Sequence, residues 1–289
     1  MKDFFIVIIN YKTPALLRQC LDSILKNNPG MERKILVIDN FSEDESFAMM
    51  QKDFPEIKIL ASQYNSGFGA AINWGINNAP NTAKYLIFLN PDIIMRGNAL
   101  NKMLEFMEKR PEVALIGPKL LNPDLSVQSS CRRFITPKLI LYRRTFLGRF
   151  GFAKKALQKF LMEDINHKKI QEVDWIFGAC MMVRLAAIRD VGLMDERYFL
   201  YFEDMDWCRR FWEKGWKVYY YPEAEMIHYH RRDSAAESGF SALFNHAARI
   251  HIGSAVKYFI KYFGVPKPRE ERLENNSSRA RILSRQVSR

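Results

Sequence analysis

Phe4–Asn10 reads FFIVIIN and is the first of four short apolar runs that decide the fold of this 289-residue chain. The other three are Lys34–Asn40 (KILVIDN), Ile57–Ser62 and Tyr85–Asn90 (YLIFLN). β-Branched side chains are frequent in these runs, which predicts strands. Their nearly continuous apolar character predicts a sheet that is covered on both faces.

Helical patterns separate these four strands. They predict helices over Pro14–Lys26, Asp44–Asp53 and Gly69–Asn78, the first of which has proline at its start. Alternation of strands and helices predicts an α/β fold with a mostly parallel, doubly wound sheet flanked by helices. The second half is less regular, and the elements expected there are the strands Val113–Pro118, Val173–Arg184 and Lys217–Pro222 and the helix Asp204–Lys214.

The composition is that of a globular protein, with 48% apolar, 13% aromatic and 26% charged residues. That mix excludes a wholly disordered or fibrous protein. No stretch reaches the roughly 18 uncharged apolar residues that span a bilayer, and the start lacks a signal-peptide pattern. Four scattered cysteines match no zinc or redox spacing, which predicts buried free thiols in a reducing, cytoplasmic setting.

The net charge of +12 is concentrated in two parts of the chain. Residues 131–170 hold 11 Lys/Arg against 2 Asp/Glu, and residues 241–289 hold 10 against 3. Only these parts are expected to contact an anion such as nucleic acid, an acidic membrane surface or a phosphorylated substrate. Because helix-turn-helix, zinc and RNA-recognition signatures are all missing, we expect no nucleic-acid partner.

Polar residues stand at the carboxyl ends of three predicted strands. They are Asn10, Asp39 and the sequence Asn90-Pro91-Asp92. In parallel sheets, ligands bind beyond these carboxyl ends. The alternative is that these polar residues only end the strands. A carboxylate such as Asp92 beside a diphosphate is a common ligand of Mg²⁺ or Mn²⁺, and a turn residue is the alternative.

The loop Asn65-Ser66-Gly67-Phe68-Gly69 precedes a helical run that contains Asn73. Backbone N–H groups in such a loop can approach an anion. The third glycine of a dinucleotide fingerprint is missing, so a tight turn is the alternative.

The segment FLYFEDMDWCRR, residues 199–210, is the richest in candidate chemistry. On a helix that begins near Asp204, this carboxylate faces an aromatic side, whereas Asp206 is expected to be solvated and paired with Arg209 and Arg210. A partly desolvated carboxylate in a cleft has a raised pKa, which suits a general base. A helix N-cap is the alternative for Asp204.

Two histidines, His228 and His230, follow the last predicted strand. Alternate residues of an extended segment face opposite ways, so the two cannot chelate one ion together. One of them could complete a site with Asp92, and an ordinary surface histidine is the alternative.

Six strings along residues 4–265 resemble the family 2 glycosyltransferases with a GT-A fold, in particular bacterial rhamnosyltransferases of O-antigen and cell-wall polysaccharide assembly. They are Val7–Lys12 (VIINYK), Val37–Ser42 (VIDNFS), Asn65–Gly75 (NSGFGAAINWG), Leu89–Asp92 (LNPD), Trp175–Arg184 (WIFGACMMVR) and Asp195–Asp206 (DERYFLYFEDMD). Each string alone is a weak sign of the family, but six strings in the family's order are highly specific for it.

The resemblance implies a site for a nucleotide-sugar donor and a divalent metal. Asp39 would accept the N3–H of the pyrimidine, Asp92 would bind the Mg²⁺ or Mn²⁺ that bridges the diphosphate, and His228 would be a further metal ligand. Many family members carry a second aspartate where this chain has Asn90, which leaves the metal with one fewer charged ligand. The implied nucleotide-binding residues are Asn10, Asp39, Asn65, Gly67, Asn73 and Asn90.

The resemblance also implies inverting transfer of a sugar to an acceptor hydroxyl. Asp204, preceded by Glu203, would be the catalytic base. The implied acceptor residues are Trp175, Gly178, Arg132 and Arg133. The expected donor is dTDP-rhamnose, and the alternatives within the family are galactofuranosyl, glucosyl and other UDP-sugar transferases.

Two other classes of protein fit the sequence less well. A sugar nucleotidyltransferase needs a glycine-rich loop after the first strand, and residues 10–14 contain no glycine. A non-catalytic relative is disfavoured because both Asp92 and Asp204 are present.

The expected organisation is one GT-A catalytic domain over residues 1–264 and a basic, flexible tail over residues 265–289. Its parts are a nucleotide-binding half (1–120), an acceptor half (121–240) with a basic insert (131–170), and a C-terminal helix (241–264). The insert mixes cationic and aromatic residues, such as Arg143, Arg144 and Phe146, which suits an anionic membrane surface or a lipid-linked glycan acceptor. We therefore expect a cytoplasmic protein that is peripheral on the inner face of the cell membrane.

Overall fold

The computed structural model describes residues 3–229 and 246–268, without the side chains of residues 143 and 144. Helices and strands alternate in that part of the chain. The strands are β1 (Phe4–Asn10), β2 (Ile35–Asp39), β3 (Lys58–Ala61), β4 (Tyr85–Leu89), β5 (Ile93–Met95), β6 (Val113–Leu121), β7 (Val127–Gln128), β8 (Cys131–Arg132), β9 (Gln171–Glu172), β10 (Trp175–Ile176), β11 (Cys180–Arg184) and β12 (Lys217–His228). The α-helices are α1 (Pro14–Asn27), α2 (Ser46–Asp53), α3 (Phe68–Asn77), α4 (Ala99–Glu108), α5 (Pro137–Arg144), α6 (Gly151–Phe160), α7 (Leu185–Val191), α8 (Glu203–Glu213) and α9 (His246–Lys261).

Ten of these strands form one sheet, whose order is β3-β2-β1-β4-β11-β6-β12-β5, with β7 beside β6 and β9 beside β12. Strands β3, β2, β1 and β4 pair in parallel, and β12 pairs in parallel with β6. β11 lies antiparallel between β4 and β6, a direction that apolar periodicity does not reveal. The predicted α/β sheet flanked by helices is confirmed, and its second half adds antiparallel strands.

β1 is buried along its whole length because helices cover both faces of the sheet. Val7 and Ile9 lie in one apolar cluster with side chains of α3, α8 and α9. Ile6 and Ile8 point to the other face and pack with α1 and α4. Each such side chain contributes about 1.5–3 kcal/mol through its removal from water, so the two clusters fix the sheet and the positions of its strand ends.

One predicted strand, Val173–Arg184, is wrong in extent. The chain turns at residues 177–179, and the two sides of the turn become β10 and β11. The backbone N–H of Gly178 in this turn donates a hydrogen bond to the Asp204 carboxylate. A local apolar pattern carries no sign of that contact with a distant segment.

The predicted strand Lys217–Pro222 continues beyond its proline to His228, as β12. A register shift between Tyr221 and Glu225 accommodates Pro222, which has no N–H to donate to a neighbouring strand. This continuation brings His228 to the same end of the sheet as Asp92.

Other expectations concern the cysteines and the end of the chain. All four cysteines are buried and free, as predicted. No helix in the described ranges is long and apolar enough to cross a membrane. His230 and residues 269–289 of the predicted tail lie outside the described residues, and the boundaries between the predicted halves stay predictions.

A close backbone contact joins the first half of the chain to the second. The Phe68 N–H donates to the carbonyl oxygen of Phe199 at 2.9 Å. Gly67 has φ +86° and ψ 170°, a conformation almost restricted to glycine, and a Cβ here would overlap with the same oxygen. Gly67 is therefore required both by its backbone conformation and by lack of space.

Replacing Gly67 by alanine is expected to lower the free energy of unfolding by at least about 2 kcal/mol, because conformational strain and overlap with Phe199 add. Gly30→Ala is the matched control, since Gly30 has φ +77° but no atom within 4 Å of the Cβ position. That control is expected to lose only about 1 kcal/mol. Urea denaturation measures both, and equal losses would contradict the importance of the contact.

Candidate active site

A cleft of about 600 Å³ opens beyond the carboxyl ends of β1, β2 and β4. Ligands bind at this edge of a parallel sheet. The structure brings together here a subset of the predicted site residues, namely Asn65, Gly67, Asn90, Asp92 and His228. The cleft is also lined by residues of the β1–α1 connection, by Asn40, by Phe68, by residues 199–201 and by the first turns of α9.

Asn10 and Asp39 lie beneath the cleft and are almost completely buried. Asn10 Nδ2 donates to Asp39 Oδ1 at 2.8 Å and to the hydroxyls of Ser42 and Ser46. Asp39 also accepts hydrogen bonds from the N–H and the hydroxyl of Ser42. Three of the roughly four acceptor positions of the Asp39 carboxylate are thus used within the protein, and one on Oδ2 is left for a ligand.

Asn40, to which the sequence interpretation gave no role, holds the loop at residues 65–67. Its Nδ2 donates to Asn65 Oδ1 at 3.0 Å and to the Gly67 carbonyl, and its Oδ1 accepts from Ser66. Asn65 Oδ1 in turn accepts the N–H of Gly67 at 3.0 Å. Because the N–H groups of Gly67 and Phe68 both have partners inside the protein, the geometry favours the tight-turn interpretation of this loop over anion binding.

Asn73, one of the predicted nucleotide-binding residues, is not brought to the cleft. Its Nδ2 donates to the Met194 carbonyl at 2.9 Å and to Glu196, and its Oδ1 accepts the Met194 N–H. The side chain is only 2% exposed. Asn73 therefore ties α3 to the segment that precedes α8.

Asp92 and His228 face each other in the cleft. His228 Nε2 lies 3.3 Å from Asp92 Oδ1, and the histidine is 2% exposed, so the surface-histidine alternative is wrong. The two residues come from the turn after β4 and from the end of β12. The Tyr229 N–H donates to the Asp92 carbonyl and fixes the two segments together.

A chain of hydrogen bonds orients the ring of His228. Gln128 Nε2 donates to Asn122 Oδ1 at 3.0 Å, so Gln128 Oε1 faces His228 Nδ1 at 2.6 Å. Because that oxygen only accepts, it takes the Nδ1 proton, and a neutral ring in this tautomer has its Nε2 lone pair on the side of Asp92. Asp92 Oδ1 is itself buried and accepts no hydrogen bond from the described residues. Two facing electron-pair donors fit a divalent cation.

Asp204 occupies the second position of α8 and is 9% exposed. Its Oδ2 accepts the Gly178 N–H at 3.0 Å, and its Oδ1 accepts the Met205 N–H at 2.7 Å. Burial raises the pKa of Asp204 to about 6, and the two N–H groups and the charge of Arg132 oppose this rise. Such a carboxylate is ionised at neutral pH and can accept a proton. The surroundings of Asp204 therefore support a chemical role and not only that of a helix N-cap.

Glu203 is the neighbour of Asp204 in sequence, but its side chain packs beside Gly69 of α3. It is 4% exposed, and its Oε2 has no hydrogen-bond partner among the described residues. Burial and the nearby Asp204 raise the pKa of Glu203 well above its usual range. Glu203 therefore favours its neutral form more strongly than an exposed glutamate does, so the negative charge of the pair is favoured on Asp204.

Asp206 is fully buried, so the prediction that it is solvated was wrong. Its oxygens accept from Arg210 Nε at 2.8 Å, Lys261 Nζ at 2.6 Å and the Tyr262 hydroxyl at 2.8 Å. The last two donors come from the end of α9 and the residue after it. Because α9 covers this side of α8, the charge pattern within α8 alone could not reveal the burial.

The ring of Phe68 and the carboxylate of Asp204 both lie close to Gly178. A Cβ at Gly178 would lie 2.8 Å from Phe68 Cε1 and 3.7 Å from Asp204 Oδ2. Phe68 also lines the cleft, so its ring borders both the cleft and the carboxylate. Just before Asp204, Tyr201 and Phe202 have φ +68° and +73°, a strained conformation that is typical of functional sites.

The two predicted acceptor arginines have different surroundings. The Arg132 guanidinium lies 4.3 Å from the ring centroid of Phe177, and its charge acts on Asp204. Arg133 instead forms two hydrogen bonds with the carboxylate of Asp164. The charge of Arg132 thus acts on Asp204, whereas Arg133 holds the segment after α6.

Trp175 is buried beneath this region, at 5% exposure. Its indole N–H donates to the Arg133 carbonyl at 3.0 Å, and its ring lies 5.8 Å from the Arg132 guanidinium. Trp175 therefore supports Arg132 and the turn at Gly178.

Besides Asn40, three parts of the site were missed by the sequence interpretation. They are Gln128 beneath His228, the ring of Phe68, and the first turns of α9 with residues 199–201. Phe68 and residues 199–201 fall inside strings that had been noticed, so a signal existed for them. Gln128 and α9 reach the site only through contacts between distant segments.

The sequence profile of Glycosyl transferase family 2 matches residues 5–192, well over half of the chain. The chain therefore belongs to glycosyl transferase family 2, and the predicted resemblance is confirmed. It is a glycosyltransferase with a GT-A fold. The matched residues end before α8, so Asp204 lies beyond them.

Individual relatives agree with this assignment. The chain is 29% identical over 259 residues to an N-acetylglucosaminyl-diphospho-decaprenol L-rhamnosyltransferase of Mycobacterium tuberculosis, covering 86% of this chain and 82% of that protein. It is 26% identical over 273 residues to Rhamnosyltransferase WbbL of Escherichia coli, covering 89% and 92%.

Two solved structures share the fold. GalNAc-T7 with UDP, GalNAc and Mn²⁺ gives a TM-score of 0.59 at 15% identity, over 79% of this chain and 44% of that chain. TarS 1-349 of S. aureus gives 0.52 at 15% identity, over 79% and 60%. The chain thus spans less than two thirds of either solved chain.

The buried Glu203 carboxyl is expected to make stability depend on pH. A carboxyl whose pKa is higher in the folded state stabilises the fold below its unfolded value of 4.5 and loses that contribution as the pH rises toward the folded pKa. Glu203→Gln should remove this loss, which amounts to about 1.4 kcal/mol for each pH unit between the two pKa values.

Urea denaturation at about pH 5 and about pH 8 measures the effect, and the variant should gain stability over the wild type at the higher pH. Glu163→Gln, at an exposed position, is the matched control and should follow the wild type. If Glu203→Gln also follows the wild type at both pH values, the carboxyl is not protonated in the folded state.

Proposed function

We propose that the chain transfers L-rhamnose from a dTDP-linked donor to a hydroxyl group of a lipid-linked glycan acceptor. The observation that carries this proposal is a cleft lined by a pair suited to a cation, Asp92 and His228, with Asp204, a buried carboxylate of raised pKa, on the other side of the Phe68 ring that also lines it. Two relatives named as rhamnosyltransferases, one of them acting on a diphospho-decaprenol acceptor, support the donor sugar and the acceptor class.

A UDP-linked sugar is the second candidate donor. The solved GalNAc-T7 structure of the same fold contains UDP. In the proposal Asp39 Oδ2 accepts the N3–H of the pyrimidine, and this group is common to thymine and uracil. Asn65 and Asn90 line the cleft beside the expected position of the nucleotide.

Asp92 and His228 would hold Mg²⁺ or Mn²⁺ together with phosphate oxygens of the donor. When bound, such a cation neutralises charge on the departing diphosphate. Asn90 adds no charge, and no group of three or more His, Cys, Asp or Glu side chains in the described part of the chain could hold a metal ion. We therefore expect cation and nucleotide to bind together more tightly than either binds alone.

Asp204 acts as the general base of the reaction. It removes the proton of the acceptor hydroxyl while that oxygen forms a bond to the anomeric carbon of the donor. The bond from this carbon to the diphosphate oxygen breaks, and the nucleoside diphosphate leaves with the electron pair. A single displacement inverts the anomeric configuration.

Arg132 is the acceptor-side cation in this proposal. It lies beside Asp204, and guanidinium groups bind phosphate oxygens through paired hydrogen bonds. In this proposal the diphosphate of the acceptor lies on the Arg132 side of Asp204. Arg133 is not assigned to the acceptor, because Asp164 already occupies it.

Nucleotide binding tests the donor site. Calorimetry with dTDP and with UDP, each in Mg²⁺ and in EDTA, should show cation-dependent binding that prefers dTDP. Asp92→Asn is expected to weaken the Mg²⁺-dependent binding by about tenfold or more, since a charged ligand is lost. Asp22→Asn, an exposed position on α1, should leave it unchanged. A preference for UDP would replace rhamnose by a UDP-linked sugar, and binding of neither nucleotide would contradict the proposed function.

The two neighbouring carboxyls should differ sharply in their effect on turnover. Asp204→Asn is expected to lower kcat by about 10²–10⁴-fold, because the proton acceptor is removed. Glu203→Gln should keep kcat within about threefold, because the raised pKa of Glu203 favours its neutral form and neutral glutamine has nearly the same shape. In the wild type, kcat/KM should fall about tenfold per pH unit below the Asp204 pKa of about 6, as the base becomes protonated. A pH–rate profile that stays flat through this pKa would exclude Asp204 as the base.

A further inference from the structure

Helices α5 and α6 and the turn between them carry a cluster of exposed apolar side chains. Phe146, Phe150 and Phe152 are 69%, 49% and 57% exposed, and Leu141 is 49% exposed. Phe150 and Phe152 stack with their ring centroids 5.7 Å apart, and Phe146 and Tyr142 each contact one of them. We call these five residues the aromatic face. A contiguous exposed apolar cluster of this kind marks an interaction surface.

The aromatic face is distinct from the apolar residues that attach the same segment to the protein. Phe134, Leu139 and Phe160 are buried, at 2%, 7% and 3% exposure, and belong to the main core cluster. The segment is therefore packed through one set of apolar side chains while a second set is left facing solvent.

The charge around the aromatic face has one sign. Residues 125–162 contain no Asp or Glu, and within them residues 137–160 contain seven Lys or Arg. Lys138, Arg149, Lys154 and Lys155 are exposed. A second copy of this face would repel the first, and protein interfaces usually have a rim of mixed polar residues. A partner that matches this surface is therefore both anionic and apolar.

We propose that the aromatic face and the lysines and arginines around it dock on an anionic lipid bilayer. Aromatic side chains suit the boundary between head groups and acyl chains, and Lys and Arg are attracted to anionic head groups. The proposal builds on the lipid-linked acceptor of the proposed function and names the surface by which the enzyme reaches it.

Helix α6 connects this surface to the acceptor side of the cleft. Phe160 at its end lies 5.6 Å from the Arg132 guanidinium, and its carbonyl accepts the Arg133 N–H. At 1.5 Å per residue, Phe152 and Phe160 are separated by roughly 12 Å along the helix axis. Docking through the aromatic face therefore orients the neighbourhood of Asp204 toward the membrane that carries the acceptor.

A second exposed apolar stripe, on α9 and just beyond it, is the rival surface. Val256, Ile260 and Phe263 are 52%, 72% and 89% exposed. Two lysines of this helix have partners within the protein: Lys257 donates to the Arg197 carbonyl, and Lys261 is bound to Asp206. Fewer of its cations are available to an anionic surface, which favours the aromatic face.

Sedimentation of the full chain with lipid vesicles tests the proposal without any sugar transfer. Vesicles of phosphatidylcholine with phosphatidylglycerol should bind the wild type, and pure phosphatidylcholine should bind it weakly. Phe150→Ser/Phe152→Ser and Lys154→Glu/Lys155→Glu are each expected to lower the partition coefficient by about tenfold or more. Unchanged dTDP binding by the same variants shows that they fold, so failure here and failure of the proposed function are distinguishable.

Matched controls separate this surface from general stickiness and net charge. Phe47→Ser/Tyr64→Ser removes two exposed aromatic rings elsewhere, and Lys52→Glu/Lys58→Glu changes the net charge by the same amount as the lysine pair of α6. Both controls should bind vesicles like the wild type, within about twofold.

Three outcomes would overturn the proposal. The aromatic-face variants could bind vesicles as well as the wild type, or the control charge reversal could reduce binding as much as the one on α6. The third is that Val256→Ser/Ile260→Ser loses vesicle binding while the aromatic-face variants keep it. That result would move the docking surface to α9.

Discussion

Three acidic side chains buried in the first turn of α8 form the constraint on which the active site depends. Burying a carboxylate without compensation is strongly unfavourable, and each of the three is accommodated differently. Burial raises the pKa of Glu203 and favours its neutral form, Asp204 accepts two backbone N–H groups, and Asp206 is bound by two cations and a tyrosine hydroxyl. The turn at residues 177–179 and helix α9 are therefore conditions for burying the proposed base, Asp204, as an ionised carboxylate.

The two halves of the chain contribute different parts of one cleft. The parallel first half supplies Asp92 at a strand end, and the second half supplies His228 at the end of β12, with Asp204 on the other side of the Phe68 ring. The hydrogen bond from the Phe68 N–H to the Phe199 carbonyl holds these halves together between the base and the cation pair. A displacement at this contact changes both parts at once, which ties the donor side to the acceptor side.

The sheet and the cleft-forming strand ends were predictable because their signals are local. β1 extends over the predicted residues Phe4–Asn10, and Asp92 and Asp204 were recognised from strand ends, helix periodicity and the family strings. Contacts between distant segments could not be predicted in this way. Burial of Asp206 depends on α9, and the ring orientation of His228 depends on Gln128, a hundred residues earlier in the chain.

The attachment of α9 to α8 has a consequence for the synthesis of the protein. Asp206 receives two of its three donors from residues 261 and 262, and Arg209 Nη2 donates to the carbonyls of Val265 and Pro266. Until the ribosome has released these residues, Asp206 has Arg210 of its own helix as a donor but lacks Lys261, Tyr262 and the cover that α9 provides. A nascent chain thus completes the surroundings of α8 only after residues 261–266 have been synthesised, and a chain that stops before them lacks these contacts.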